Sequence, residues 1–250
     1  MQADKALAIV LRVVDFSETS CVVTLFTREF GKVRGLAKGA RRLKGPFESA
    51  LDLLSLCRIV FLRKSSDALD LLTEAKLEWR FRPRNRDLSR LYAAYYMAEL
   101  LNDLTHDGDP HAELFDATLR GLRELASDSV ATSWCVLRYE LALVRILGHL
   151  PSLDRCVECG TMLGESKRVH FGVLAGGVLC ARCRPGKRHV VNISDESLLI
   201  MRDLSSDTER GHEAVGRACL GELRGVLNRY LAHLMGHRPR MHAYLGFLAE

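Results

Sequence analysis

The chain has 250 residues, of which 48% are hydrophobic, so it can form one large domain or two to three small ones with substantial cores. No stretch approaches the ~20 apolar residues that a spanning helix needs, which excludes a helical membrane protein. Asp4, Lys5 and Arg12 interrupt any apolar run of a secretory signal. We therefore expect a cytoplasmic protein whose eight cysteines are thiols or metal ligands, because disulfides are rare in that compartment.

The net charge of +5 is unevenly distributed along the chain. Residues 1–80 hold 14 Lys and Arg against 10 Asp and Glu, and residues 151–193 hold 7 against 3. The remaining segments are slightly acidic. Charge in local patches suits a partner with an anionic track better than a general affinity for membranes.

Five short segments rich in Val, Ile and Leu lie within residues 1–80. They span residues 6–16, 21–26, 31–38, 54–62 and 69–75. Turn-forming residues separate them, and a basic connection follows the third. Five short strands in this length predict a small closed barrel of the oligonucleotide-binding (OB) type.

A basic stretch runs from Phe30 to Phe47, with no acid between Glu29 and Glu48. Glycines and the Gly45-Pro46 pair disfavour a regular helix, so we expect a strand that leads into a loop. We predict that its cations contact the backbone of a nucleic acid. They are Lys32, Arg34, Lys38, Arg41, Arg42 and Lys44. The alternative interpretation is a solvated surface hairpin.

Four aromatic side chains near this stretch are candidates for stacking on bases. We expect Phe26 and Phe61 to belong to the barrel core instead. Phe30 and Phe47 flank the cations, and for them both interpretations stay open.

An arginine-rich linker occupies residues 80–90, and after it the apolar spacing becomes helical. We expect a first helix whose apolar face comprises Leu88, Leu91, Tyr92, Tyr95, Leu101 and Leu104. Asp109 and Pro110 are placed to start a second helix as cap and first residue. A third, Val130–Leu147, is apolar nearly all round and should occupy the centre of a bundle. Ser194 should cap a fourth helix, and a last one should span residues 212–235.

Four cysteines form two matched pairs, Cys156-x-x-Cys159 and Cys180-x-x-Cys183. Two thiolates three positions apart share one tetrahedral ion, and a second pair completes the coordination. The spacing predicts one Zn²⁺ bound by Cys156, Cys159, Cys180 and Cys183 in a zinc-ribbon-like hairpin. A redox pair or four unrelated buried thiols fits this spacing less well. Since four protein ligands leave no position for an activated water, we expect the zinc to be structural.

Other reactive side chains have ordinary interpretations. Cys21, Cys57, Cys135 and Cys219 lie in apolar periodic segments and should be core residues. A polar cluster made of His106, Asp107, Asp109 and His111 is better explained as an inter-helix loop than as a metal or acid–base site.

Several motifs together resemble the bacterial RecO proteins, a family of DNA-repair and recombination mediators. They are Ala8-Ile9-Val10-Leu11-Arg12, Glu18-Thr19-Ser20, Leu25-Phe26-Thr27, Glu29-Phe30-Gly31, Ala37-Lys38-Gly39-Ala40-Arg41-Arg42 and the paired cysteines. The order of segments agrees as well, so the resemblance spans almost the whole chain. Not all members keep the cysteines, so the zinc prediction depends on the spacing in this sequence.

This resemblance implies an α+β multidomain protein. An OB-fold domain (residues 1–80) would precede a helical domain (81–151 and 191–250) with an inserted four-cysteine zinc hairpin (152–190). It also implies a cytoplasmic, nucleoid-associated protein that is not an enzyme. Such a protein would bind single- and double-stranded DNA, anneal strands and help load the RecA recombinase. The implied partners are RecR and the C-terminal tail of the single-stranded-DNA-binding protein. The alternative from another class is a zinc-containing nuclease or glycosylase, for which no carboxylate pair or open metal position can be nominated.

Overall fold

The structure is a computed structural model of the chain, and it describes residues 3–42, 45–47, 50–64, 69–164, 167–205 and 216–246. Its residues group into two compact units, 1–128 and 129–250. The first unit contains the predicted barrel and two helices, and the second contains the paired cysteines. The finer division into four segments stays a prediction.

Five strands lie in the first unit. They are β1 (Ala3–Asp15), β2 (Cys21–Thr27), β3 (Gly31–Ala37), β4 (Leu56–Leu62) and β5 (Asp70–Trp79). Together they form a closed barrel in the order β1-β2-β3-β5-β4. The parallel pairing of β3 with β5 closes the barrel, and the other neighbours are antiparallel. All five predicted strands are therefore confirmed.

The barrel interior is filled by alternate side chains from every strand, as a small barrel requires. Val10, Leu25, Val33, Ile59 and Leu72 are all buried there. The segment between β3 and β4 adds Phe47, which is only 2% exposed. The barrel is thus a packed core, and ligands must bind to its outer surface or its loops.

Two helices complete the first unit, α1 (Leu88–Leu104) and α2 (Ala112–Ser127). The predicted inner face of α2 is confirmed, since Leu114, Phe115, Leu122 and Leu125 are buried. Phe26 was expected in the barrel core. It is buried, but against α2 and not among the core residues of the barrel interior: it stacks on Phe115, with 6.3 Å between the ring centroids.

Two predictions for these helices are wrong. Of the predicted face of α1, Leu101 is fully buried but Leu88 is 59% exposed. The rest of the buried side is formed by residues that the prediction omitted, such as Ala93, Tyr96 and Met97. The apolar residues of α1 surround the helix, so their spacing did not identify the packed side. Asp109 does not cap α2 and Pro110 is not its first residue, because the helix begins at Ala112 with His111 at the cap position. The Asp109 carboxylate instead contacts His111 Nε2 at 3.0 Å.

In its described residues, the second unit packs three α-helices with a small antiparallel sheet. Its elements are α3 (Thr132–Ile146), β6 (Arg168–Gly172), β7 (Gly177–Leu179), β8 (Val190–Ser194), α4 (Asp195–Ser205) and α5 (Arg217–Met235). The strands of this sheet are arranged in the order β7-β6-β8. As predicted, α3 is buried on nearly every side. Ser194 Oγ accepts a hydrogen bond from the Ser197 amide at 3.2 Å, which confirms the predicted cap of α4.

The predicted α+β architecture, with an N-terminal five-stranded barrel followed by helices and a cysteine-bearing hairpin, is confirmed. Among the described helices, none combines the length and apolar character needed to cross a membrane.

Candidate nucleic-acid interface and metal centre

The outer face of β3 carries the first two predicted cations. Val33 and Ala37 point into the barrel, so the alternation of the strand turns Lys32 and Arg34 outward. Lys38 follows directly after the strand. Lys32 and Arg34 therefore share one face of β3.

Lys32 is nevertheless bound within the first unit. Its Nζ donates to the carbonyl oxygens of Asn102 and Thr105, both at 2.7 Å, and lies 3.7 Å from Asp107 Oδ1. The carbonyls at the end of α1 have no partner inside the helix, and Lys32 supplies one. Only 12% of the Lys32 side chain is exposed, and burial lowers its pKa. This cation therefore joins β3 to α1.

Arg34 is paired with the same carboxylate. Its Nε donates to Asp107 Oδ2 at 2.7 Å, and its Nη2 contacts the same oxygen. The Arg34 side chain is 59% exposed, so this pair contributes little to stability. Sequence reasoning placed Asp107 in a polar loop and did not connect it with the basic strand, because 73 residues separate the two partners.

The α1–α2 loop, which carries Asp107 and Asp109, lies directly against the start of β3. The Gly108 amide donates to Lys32 O at 2.9 Å. A Cβ atom on Gly31, whose φ is +68°, would lie 2.0 Å from the carbonyl oxygen of Asp109. Glycine is thus required here for a close approach of two backbones.

The loop after β3, residues 38–42, is held against the β1–β2 turn, residues 15–20. The Arg41 amide donates to Thr19 O at 3.1 Å, and the Arg41 guanidinium contacts Ser17 O and Asp15 Oδ2, each at 3.2 Å. Gly39 donates to Ser20 Oγ at 3.4 Å. We call these two segments together the basic loop surface.

Two cations of the basic loop surface are exposed. In the described ranges, no hydrogen bond or ion pair engages the side chains of Lys38 and Arg42. Arg42 lies over Gly39, and its Cδ would be 3.5 Å from a Cβ at that position. Arg41 is 46% exposed despite its pairing. Lys44 lies outside the described residues.

The aromatic candidates are not available for stacking. Phe47 is part of the barrel core. Phe30 packs edge-on against Phe61, with 5.6 Å between centroids, and Arg63 covers its ring at 4.4 Å. The sequence reasoning missed Phe16, which is 65% exposed in the β1–β2 turn.

The arginine-rich linker has a mixed role. Arg80 pairs with Asp52 at 3.1 Å. Arg90 is buried and contacts Asp128 and the Leu125 carbonyl at the end of α2. Arg82, Arg84 and Arg86 are exposed.

The four paired cysteines of the second unit converge on one point. Their sulfur atoms lie within 4.8 Å of one another, and Cys159 Sγ is 3.8 Å from Cys180 Sγ. Four sulfurs at about 2.3 Å from one tetrahedral ion are spaced by about 3.8 Å, so the residues fit such an ion. Among the cysteine, histidine, aspartate and glutamate side chains of the described residues, these four cysteines form a group that could hold a metal ion.

Two tight turns produce this convergence. Gly160, with φ of +71°, follows Cys159 and donates to Cys156 O at 2.8 Å. In the second turn, the amide of Cys183 donates to Cys180 O at 3.1 Å. His170 is not a ligand, since its Nδ1 contacts Asn192 Oδ1 at 2.6 Å.

Hydrogen bonds to sulfur favour thiolates at part of the cluster. Hydrogen bonds from the hydroxyl and the amide of Thr161 to the Cys159 sulfur are the main reason that the pKa of Cys159 is lowered to about 6. Burial opposes ionisation of Cys156, but the backbone amides of Cys180, Cys159 and Glu158 outweigh it and lower the pKa of Cys156. The neighbouring thiols Cys180 and Cys159 raise the pKa of Cys183 to about 12. The lowered pKa values of Cys156 and Cys159 favour the thiolate form that binds a cation.

Comparison with known proteins identifies the family. The family model "Recombination protein O N terminal" matches residues 1–93, and "Recombination protein O C terminal" matches residues 85–242. The chain belongs to the RecO family. The DNA repair protein RecO of Rhodopirellula baltica is 43% identical over 96% of this chain and 97% of its own length. RecO of Anaeromyxobacter dehalogenans is 33% identical over 98% and 96%. The similarity to RecO thus covers both compact units.

Proposed function

We propose that this RecO-family chain is a non-enzymatic mediator of DNA repair that binds the DNA backbone through its basic loop surface. The observation that carries the proposal is the exposure of Lys38 and Arg42 without a carboxylate partner in the described part of the chain. Arg41 adds a third, partly paired charge. These contacts read phosphates and not bases, so single and double strands of any sequence are bound.

The electrostatics of this surface suit strand annealing. Two complementary strands repel each other through their phosphates, and cations that neutralise both lower this repulsion. Three phosphate contacts give a single-strand salt slope of about −2, from about −0.7 for each neutralised phosphate.

Lys32 and Arg34 contribute less to this binding than the sequence alone predicts. DNA would have to displace Asn102, Thr105 and Asp107 from Lys32, at the cost of leaving helix-end carbonyls unpaired. Arg34 is more accessible, but Asp107 neutralises it. We therefore assign the principal contacts to Lys38, Arg41 and Arg42.

We further propose that the cysteine cluster binds one structural Zn²⁺. These four thiolates would hold the ion, which would crosslink the two cysteine turns and would leave no coordination position for water. Four thiolates leave a charge of −2 on the site. Exposed cations close in sequence offset this charge, namely Arg155, Arg182, Arg184 and Arg188.

The proposed partners follow from membership of the family. They are RecR, the C-terminal tail of the single-stranded-DNA-binding protein and, indirectly, RecA. In this role the chain would act on coated single strands and prepare them for the recombinase. The mediator needs no bond cleavage, in agreement with a metal site whose four ligands are all protein thiolates.

Annealing of complementary labelled strands tests the proposal, with bare DNA and with DNA coated by the single-stranded-DNA-binding protein. We expect annealing in both cases and intact strands after incubation with divalent metals. Strand cleavage or base release would instead support a zinc-containing nuclease or glycosylase. Failure to anneal and to retain DNA at physiological salt would contradict the mediator.

A further inference from the structure

The β1–β2 turn presents an aromatic ring to solvent. Phe16 is 65% exposed, more than any other large hydrophobic side chain among the described residues. Exposure of a single apolar side chain is common and needs no explanation by itself. The surroundings of Phe16 make it significant.

The turn that carries Phe16 is well defined. The amides of Phe16 and Ser17 both donate to Ser20 O, at 3.0 and 3.1 Å, and the Ser20 amide donates to Ser17 Oγ at 3.2 Å. The backbone of this turn is thus fixed on both sides of the ring. An aromatic on an ordered backbone loses less entropy when a ligand stacks on it than one on a mobile loop.

The same turn is bonded to the cations that we assign to phosphate. Arg41 contacts Asp15 and Ser17, the residues on either side of Phe16, at 3.2 Å each. Its amide and that of Gly39 fasten the loop to Thr19 and Ser20. The exposed ring and the exposed cations are therefore carried by two segments that are bonded to each other. In OB folds, the loop between the first two strands is a regular place for oligonucleotide contacts.

We propose that Phe16 stacks on an unpaired base of single-stranded nucleic acid whose phosphates are held by Lys38, Arg41 and Arg42. The inference rests on the proposed DNA binding and deepens it. A ring beside a basic track suits a single strand, because its bases expose their faces. In a duplex the base faces are already stacked, so the ring has no partner there. Phe16 would thus give the surface a preference for single strands.

The test compares Phe16→Ala with wild type on a single-stranded oligonucleotide and on the matching duplex, by fluorescence anisotropy. Removing a stacked ring weakens single-strand binding about fivefold or more. We expect duplex affinity within about twofold of wild type and an unchanged salt slope, since no charge is removed. Tyr244→Ala, at an aromatic that is 56% exposed in the second unit, is the control and should change neither affinity.

A second variant reports stacking directly. Phe16→Trp should retain affinity for a single strand. Binding of that strand should quench the tryptophan fluorescence of this variant more than that of wild type, whose tryptophans are Trp79 and Trp134. If Phe16→Ala bound single strands as tightly as wild type, or if it weakened binding of both DNA forms equally, this inference would be overturned. The proposed function would still stand. A wild-type chain that retains neither DNA form would overturn the proposed function as well.

Discussion

Lys32 Nζ donates a hydrogen bond to the carbonyl oxygen of Thr105 at 2.7 Å. This bond joins the third strand of the barrel to the end of α1. It shows that a basic residue in a basic stretch can serve the fold, while other cations further along the same stretch remain available to a ligand.

Replacing Lys32 by Met should destabilise the first unit and change DNA binding far less than loss of Lys38 and Arg42 does. Two helix-end carbonyls lose their donor, which costs roughly 1–3 kcal/mol. The free energy of unfolding in urea and hydrogen exchange in the last turn of α1 measure this effect. Lys38→Met is the control, and its exposed site predicts a change within about 0.5 kcal/mol. A stable Lys32→Met variant with weakened DNA binding would reverse our assignment of this residue.

Replacing Gly31 by Ala should disrupt the contact between β3 and the α1–α2 loop. The new Cβ would lie 2.0 Å from Asp109 O, and the positive φ adds strain. We expect a clear fall in the melting temperature. Gly35→Ala on the same strand is the control, because its Cβ would meet Asp70 and Leu72 at an ordinary 3.6 Å. Equal melting temperatures for the two variants would contradict the close approach at Gly31.

Metal analysis should find one zinc per chain in freshly reduced protein. Cys156→Ser should lower this content and increase hydrogen exchange in residues 152–164 and 177–184, while the barrel stays protected. Cys21→Ala, at a buried barrel thiol, should leave the metal content at one. Reduced wild-type protein without zinc would refute the assignment.

Glu222 should make the second unit sensitive to acid. Its Oε2 accepts hydrogen bonds from the Ser194 amide, the Ser194 hydroxyl and the Ser197 hydroxyl, and its Oε1 pairs with Arg168 at 3.0 Å. Burial alone would raise the pKa of Glu222, but these bonds and Arg168 outweigh it and lower the pKa below its ordinary 4.5.

A lowered folded-state pKa means that the stabilisation is present above pH 4.5 and is lost as the pH falls through the folded value. Glu222→Gln should therefore cost stability at neutral pH, and its difference from wild type should shrink in acid. Urea unfolding across this range measures the difference. A difference that is constant with pH would contradict the proposed role of the carboxylate.

Local sequence signals were sufficient for most of the fold. Strand positions followed from apolar segments and turns, and the cysteine cluster followed from two matched spacings. Both depend on neighbours in the sequence. The face of α1 could not be predicted in the same way, because its apolar residues surround the helix and tertiary packing selects Ala93 and Met97 over Leu88.

The candidate site was only partly predictable for a related reason. The cationic stretch was visible in the sequence, but its division into engaged and available residues depends on distant partners. Asn102 and Thr105 approach Lys32 from 70 and 73 residues away along the chain. Phe16 was missed because nothing in its own neighbourhood indicates that the turn lies beside Arg41.

The salt dependence of single-strand affinity tests the central claim most directly. Lys38→Ala with Arg42→Ala should weaken binding to all sequences and flatten the slope of log K against log salt by about 1.4. Arg120→Ala with Arg123→Ala removes the same charge from exposed sites on α2 and should leave the slope near that of wild type. Equal slopes for wild type and the Lys38/Arg42 variant would show that the basic loop surface does not hold the DNA backbone.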